Sequence, residues 1–389
     1  MPRAPDAVPV SGALPCLNPP YRVLFSRMSH SGCRVRCRAC GALLVPDSPV
    51  RAARARPREN VLRRPDRSPD SDAMDDLRVR PATTDDAPAV CALLNAVDTI
   101  EVGRPETDLH QVETELNHPE ADLPRNSWLG FQGGELVAYG LLWDDSGGER
   151  IDIDQYVLPG HQPAAAHLLE LMEARAAERA GHNGADRAVV HLNLNVRPTL
   201  DTALLTRRGW RTVRRYHVMS RPVDRAADPV PAPPPGLTLR DCRDEADRRR
   251  AHELVEETFA GHFDHQSRTY RQWLDDLGPA FDWSLVWIAS LGGPAGPEGD
   301  AAVMLTRNDR ASMGWIRNLG VREEARGRGI AGYLLRHAFA VYAGLGRDTV
   351  GLGVDTGNET GALRLYASHG MACHFAVDTW EVTVPVSGV

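Results

Sequence analysis

From Leu77 onward, short apolar runs alternate with stretches that carry an apolar residue at every third or fourth position. Leu77 to Arg80 alternates as a strand, and Thr84 or Asp85 can cap a helix that runs through Val90, Leu93 and Leu94. Trp128 to Phe131 and Leu136 to Trp143 flank Gly133-Gly134, the pattern of a hairpin. Ile151 to Val157 reads as a strand, Pro163 to Arg179 as a helix with Leu168, Leu169 and Met172 inward, and Ala188 to Val196 as a strand. Leu200 to Arg208 is a short helix ending at Gly209, and Trp210 to Ser220 is the last strand of this half.

The order then repeats. Leu237 to Arg240 is a strand, Glu245 to Phe259 and Tyr270 to Leu277 are helices, and Ser284 to Ser290 with Ala301 to Leu305 forms a hairpin around a Gly/Pro loop. Trp315 to Val321 is a strand and Ile330 to Gly346 a helix, with Ile330, Leu334, Ala338, Val341 and Leu345 on one stripe. Thr349 to Val354, a helix over Glu359 to Ser368, and Phe375 to Val384, which closes the sheet, complete the chain. Leu77 aligns with Leu237, Arg80 with Arg240, Val157 with Val321 and Gly209 with Gly370, at shifts of 160, 160, 164 and 161. Such a near-constant shift predicts an internal duplication, each unit a layered α/β fold.

Composition changes this picture in two places. Residues 1–73 carry 13 arginines against 6 acidic residues, with much proline and no sustained period, and read as a disordered or non-native extension. Met74 is a candidate start just before the first clear element. A zinc site at Cys33, Cys37 and Cys40 would need a fourth ligand, for which Cys16 is the nearest candidate, and a basic transit segment is a further reading of the same stretch. Asp224 to Gly236, with five prolines, reads as a stiff extended spacer.

The net charge of −7 therefore conceals an acidic body of −14 after residue 73, which argues against nucleic-acid binding by the folded part. No apolar run has the length of a membrane span. The seven cysteines form no disulfide framework, so a reducing cytoplasm is expected.

The candidate chemistry lies between Val321 and Gly332, where Arg326-Gly327-Arg328-Gly329-Ile330-Ala331 joins a strand to a helix. Glycines let backbone N–H groups turn toward an anion, and the helix start adds the positive end of its dipole. The spacing is not that of a P-loop, for which the chain has no lysine at all, nor of a Gly-x-Gly-x-x-Gly dinucleotide turn. An arginine-rich surface turn is the bland alternative.

The run from Val321 to Ala331 resembles the acyl-CoA loop of the GNAT superfamily of acetyltransferases, Val-x-Pro-x-x-Arg/Gln-x-x-Gly-x-Gly/Ala, with Glu323 in place of the proline. The resemblance extends over both halves. It implies two tandem GNAT-type domains, each a mixed, mostly antiparallel central sheet flanked by helices: a degenerate one over 76–223, the linker 224–236, and a catalytic one over 237–385. Among such tandems the chain is similar to mycothiol synthase, on the short match Val377-Asp378-Thr379-Trp380 after Gly370-Met371. The first half offers Val157-Leu158-Pro159-Gly160-His161-Gln162-Pro163, which lacks the Arg-x-x-Gly-x-Gly/Ala part and so reads as catalytically dead.

The resemblance implies an acetyl-CoA-dependent N-acetyltransferase acting on a small-molecule amine. Mycothiol synthesis and a non-catalytic acyl-CoA-binding module are the alternatives. Acetyl-CoA would be gripped by the backbone of Leu319, Gly320 and Val321 and by the loop Arg326, Gly327, Arg328, Gly329, Ile330, Ala331 and Gly332, with Asn358 touching its arm or simply capping a helix. Tyr366, in Asn358-x3-Ala362-x2-Leu365-Tyr366, is the expected proton donor to the leaving thiolate, against the reading of a core tyrosine. His262 and His265, around Asp264, border the acceptor region and are candidate bases, or belong to a solvated loop or a metal site. Asn318 and Asp355 are further candidates.

Overall fold

The computed structural model describes residues 76–386 except 119, 264, 266, 279–280, 293–298, 309–312 and 358–360. The expectations for Met74, Asn358, Asp264 and the cysteines of the first forty residues lie outside the described residues.

The first half runs β1 (Arg78–Arg80), α1 (Ala87–Glu101), α2 (Leu109–Leu116), a single turn α3 (Leu123–Asn126), β2 (Ser127–Gln132), β3 (Glu135–Trp143) and β4 (Arg150–Val157). It continues with α4 (Gln162–His182), β5 (Arg187–Asn195), α5 (Thr202–Arg207) and β6 (Arg211–Pro222). The second half runs β7 (Leu237–Asp241), α6 (Glu245–Phe259), α7 (Tyr270–Leu277), β8 (Val286–Leu291), β9 (Gly299–Arg307) and β10 (Met313–Val321). It ends with α8 (Ile330–Gly344), β11 (Thr349–Asp355), α9 (Ala362–Ser368) and β12 (Ala372–Pro385).

The predicted elements are present, and three differ in a way that has a physical cause. The sequence reading missed α2, whose capping box at Asp108 and Gln111 stands before only three buried residues, too few for a visible stripe. The helix α8 buries more than the predicted stripe: Leu335, Phe339 and Tyr342 are also inside, and Leu345 is exposed because it stands past the helix end. The segment after β6 is not a free spacer. Asp224 accepts from the N–H groups of Ala226 and Ala227, and Arg225 donates to the carbonyls of Ala343 and Gly344, the unsatisfied C-terminal end of α8.

All twelve strands form one mixed sheet in the order β1-β2-β3-β4-β5-β12-β6-β11-β10-β9-β8-β7. Only β4 with β5 and β10 with β11 are parallel; the other pairs are antiparallel. The expectation that β12 closes the sheet of its own half is corrected. It lies between β5 and β6, with Trp380 opposite both Leu192 and Thr212, while β6 lies against β11. The physical reason is long-range pairing: a strand's hydrophobic pattern says which face is buried, not which edge it joins.

The exchange extends into the cores. Trp380, Val382 and Val384 pack on the cluster of Leu168, Leu169 and Met172, whereas Met219 and Val223 belong to the cluster of Leu334, Phe339 and Tyr342. Ion pairs line the exchanged strands, Arg215 with Asp378 at 2.6 Å and Arg211 with Glu381 at 2.7 Å, and the buried His191 ring hydrogen-bonds Glu381 at 3.0 Å.

Strand registers recur between the halves. Arg80 faces Leu129 and Arg240 faces Ile288; Val157 faces Ala138 and Val321 faces Ala302. Parallel pairing stops after four rungs in both, at Ile153–Leu192 and at Ile316–Leu352. Beyond those rungs β4 parts from β5, and β10 from β11, leaving two wedge-shaped openings. No helix of the described residues is long and apolar enough to cross a membrane.

Candidate active site

In the second half the opening is sharpened by a bulge. The register of β10 against β9 shifts between Ile316 and Asn318, with Arg317 as the extra residue; β4 pairs with β3 without such a shift. A bulge bends its strand and increases the local twist. Arg317 is held there by an ion pair to Asp276 of α7. Past the bulge, Asn318 to Val321 pair only with β9, so their other edge faces the opening. Such an edge can pair with an extended ligand as another strand would.

Gly320 lies on this edge for a steric reason too. A Cβ there would stand 2.0 Å from Oγ1 and 2.7 Å from Cβ of Thr258 on α6. Gly320→Ala is therefore expected to destabilise the fold by about 1–3 kcal/mol, the usual cost of overpacking, seen as a lower thermal midpoint. An unchanged midpoint would mean that α6 yields freely.

The connection from β10 to α8 is built in steps. The Arg322 N–H donates to the Ala301 carbonyl, and the Arg322 guanidinium pairs with Glu257 at 2.7 Å. A 3-10 turn over Glu323–Ala325 buries Ala325, and the Arg326 N–H donates to the Glu323 carbonyl. Arg326 Nε donates to the Val321 carbonyl at 3.2 Å. Gly327 and Gly329 then have φ of 76° and 77°, in the left-handed region, and a Cβ at either would meet nothing within 4 Å. Glycine is needed there for backbone conformation rather than for packing. The first N–H with an acceptor is that of Tyr333, to the Gly329 carbonyl. The N–H groups of Gly327, Arg328, Gly329, Ile330, Ala331 and Gly332 find none among the described residues. Six free donors at a helix start, with Arg326 and Arg328 beside them, fit an anionic pyrophosphate.

The corresponding connection in the first half is four residues, Leu158–His161, where the second half has eight. Most of its donors are occupied or lost, and only the Gly160 and Gln162 N–H groups are without an acceptor among the described residues. The N–H groups of Ala164 and Ala165 donate to the His161 carbonyl, Pro163 has no N–H, and the His161 ring contacts Gln132 at 2.7 Å. The shift of 164 at Val157 and Val321, against 160 upstream, precedes this four-residue difference and includes the bulge.

Tyr366 sits on α9 with its ring buried in the cluster that contains Ala325 and Ile330 of the loop and Val354 of β11. Its hydroxyl has no hydrogen-bond partner among the described residues, unlike the buried Tyr342, whose hydroxyl donates to Arg307 O. Burial pushes the phenol up to about 12. A neutral phenol that keeps its proton and has no acceptor among the described residues is free to donate to a ligand.

The structure separates the two histidines. The His265 ring faces Glu256 at 3.4 Å, and Glu256 also accepts from the Arg268 N–H. His265 thus fastens the loop. His262 packs on Phe259, with ring centroids 4.4 Å apart, and the charges that act on it are those of Asp355, His265, Arg326 and Arg214. Burial, the largest cause, lowers its pKa below the ordinary value, so the ring is a neutral base at pH 7. Asp355 is corrected as a candidate base. Its Oδ2 accepts from Arg214 Nε at 2.8 Å and Nη2 at 2.6 Å, and its Oδ1 accepts from the Gly357 N–H. Asn318 is half-buried on the opening's edge and makes no side-chain hydrogen bond among the described residues.

Arg214 is the residue that sequence reasoning missed. It belongs to β6 of the first half and reaches the second half's opening, paired with Asp355 and 4.8 Å from the Phe263 ring centroid. No local motif marks it; only the exchanged strand brings it there.

The Acetyltransferase (GNAT) family model matches residues 250–371, which contain the loop, Tyr366 and both histidines. A GCN5-related N-acetyltransferase from Sphaerobacter thermophilus has a similar structure, with 26% identity and a TM-score of 0.69 over 81% of this chain and 98% of its own. A tandem GNAT protein of the clavulanic acid biosynthesis pathway has a TM-score of 0.58 at 15% identity over 80% of this chain and 99% of its own. The Saccharomyces cerevisiae N-myristoyltransferase with bound myristoyl-CoA has a TM-score of 0.51 at 12% identity, over 82% and 83% of the two chains. No curated protein matches the sequence. Residues 250–371 thus match the GNAT acetyltransferase family, and that match together with the geometry of loop and sheet leads to one reading of the activity: N-acetyl transfer with acetyl-CoA as the acyl donor.

Proposed function

We propose that the chain is a tandem GNAT enzyme in which units 76–223 and 237–385, joined by 224–236, share strands, and in which only the second unit catalyses acetyl transfer to a small amine. The observation that carries this is the set of six unpaired N–H groups from Gly327 to Gly332 beside the opened edge of β10. The first unit has the opening without the donors and shapes the shared sheet.

Acetyl-CoA supplies the acetyl group as a thioester. The loop amides hold its pyrophosphate, and the backbone of Leu319 to Val321 aligns its arm. His262 takes a proton from the acceptor's ammonium, and the neutral amine then attacks the thioester carbonyl; as the C–N bond forms and the C–S bond breaks, Tyr366 gives its proton to the leaving thiolate and is reprotonated by the second proton that nitrogen sheds. Arg214 neutralises Asp355 and fixes Phe263 at the acceptor side. The small-amine acceptor follows from GNAT chemistry. A mycothiol-type acceptor rests on Val377 to Trp380 alone, a stretch that lies in β12 within the shared sheet.

Titration calorimetry of acetyl-CoA into the protein tests the reading, with Gly329→Trp as the blocked form. Binding to one site, lost in Gly329→Trp, is the expected result. A site that persists in the variant would assign the donor to the first half, and no binding to either would overturn the reading. The pH profile adds a sign. His262 acts when neutral, and its lowered pKa puts the acidic limb of kcat/KM below about pH 6.5. His262→Ala should lose most of the rate along with that limb, and a variant with the same limb would exclude His262 as the base.

A further inference from the structure

A cavity of about 580 Å³ opens on the outer side of α8, between Arg221, Arg336, Ser368 and His369 and the linker residues Asp228 and Pro229. Two of its cations differ in how they are engaged. Arg221 donates to Asp228 at 2.8 Å and to the His369 carbonyl at 3.2 Å, and lies 4.5 Å from the Phe339 ring centroid. Its charge is already met. Arg336 is exposed, and its one contact is Nη1 with His369 Nε2 at 3.2 Å. No carboxylate of the described residues pairs with it. The His369 Nδ1 lies 2.8 Å from the Leu365 carbonyl, so a proton there leaves Nε2 to accept from Arg336. His369 thus orients a guanidinium that has four N–H donors left.

The position of this guanidinium relates the cavity to the loop. Arg336 follows Gly332, the last free donor of the loop, by one turn on the same helix face, about 6 Å along the axis. That is the scale of one ribose. The two places also touch: a Cβ at Gly332 would stand 3.0 Å from His369 Nε2.

We propose that this cavity takes the 3′-phosphate end of the acyl donor, with Arg336 as the residue that binds the phosphate and His369 as its positioning residue. The proposal rests on the reading that the loop holds the donor's pyrophosphate. It gives the linker a role as the outer wall of the donor site, and it makes Arg336 the determinant of preference for the 3′-phosphorylated cofactor.

Calorimetric Kd values for acetyl-CoA and 3′-dephospho-acetyl-CoA, on the full chain and on Arg336→Gln, test it. The wild type should bind acetyl-CoA at least tenfold more tightly, as expected for a charge-assisted arginine–phosphate contact. Arg336→Gln should erase that difference and leave the Kd of the dephospho form unchanged within twofold. Equal Kd values for both ligands in the wild type, or an equal weakening of both in the variant, would overturn the proposal. If the wild type bound neither ligand, the loop reading itself would fail and this proposal with it.

Discussion

Tyr366→Phe is expected to lower kcat by about 10²- to 10⁴-fold while leaving the KM for acetyl-CoA close to that of the wild type. The substitution removes one oxygen and keeps the ring, so the place of Tyr366 in the core cluster with Ile330 and Val354 is retained. No hydrogen bond of the hydroxyl among the described residues is lost with it. What is lost is the proton that the proposed mechanism gives to the departing thiolate. Burial keeps the hydroxyl protonated, since it pushes the phenol up to about 12. Ionisation of Tyr366 therefore sets no alkaline limb below about pH 10. Steady-state kinetics with a reactive amine and a melting curve of the variant check both parts. A kcat within threefold of the wild type would remove Tyr366 from the chemistry and favour a module that binds acyl-CoA without turning it over.

The second large effect concerns the exchanged strands. Residues 76–223 made alone are expected to show no cooperative unfolding transition. In that fragment β6 has neither of its partners, β11 or β12, and β5 loses the strand on its outer edge. Trp380, Val382 and Val384 would be missing from the first half's core, while Met219 and Val223 would face water. A solvent-exposed apolar strand with unpaired N–H and C=O groups is an aggregation edge. Residues 224–386 lack β6 and should fail likewise. The two fragments produced together should associate into one particle that binds acetyl-CoA. Circular dichroism melts and size-exclusion chromatography of each fragment and of the mixture read this directly. A sharp melt of 76–223 alone, near the midpoint of the whole chain, would show that the exchange is dispensable.

Much of the second half was legible because its signals are local. The strand, the Gly-x-Gly turn and the helix after it are contiguous, and the left-handed φ of Gly327 and Gly329 is what the glycines implied. Tyr366 was named through the resemblance of Asn358-x3-Ala362-x2-Leu365-Tyr366 to the family's last helix, and the structure buries it on α9. The histidines were recognised as a pair, but a loop sequence cannot say which ring turns to Glu256 and which to the opening. That is decided by the elements packed on it. Asp355 looked like a free carboxylate for the same reason: the arginine that neutralises it lies 141 residues earlier.

The acyl-CoA chemistry entered through the resemblance of one turn to the GNAT loop; the sequence by itself determined the order of strands and helices, their recurrence in two halves, and a glycine turn that is long in one and shortened in the other. Those features rest on backbone preferences and side-chain periodicity within a few residues. The tertiary structure alone decided that β6 and β12 lie together at the centre of one sheet, that Arg214 completes the second half's opening, and that the proline-rich linker walls a basic cavity. Each of these depends on which distant edges and charges meet. Pairing of that range is fixed by the burial of whole faces, which no short window of sequence contains.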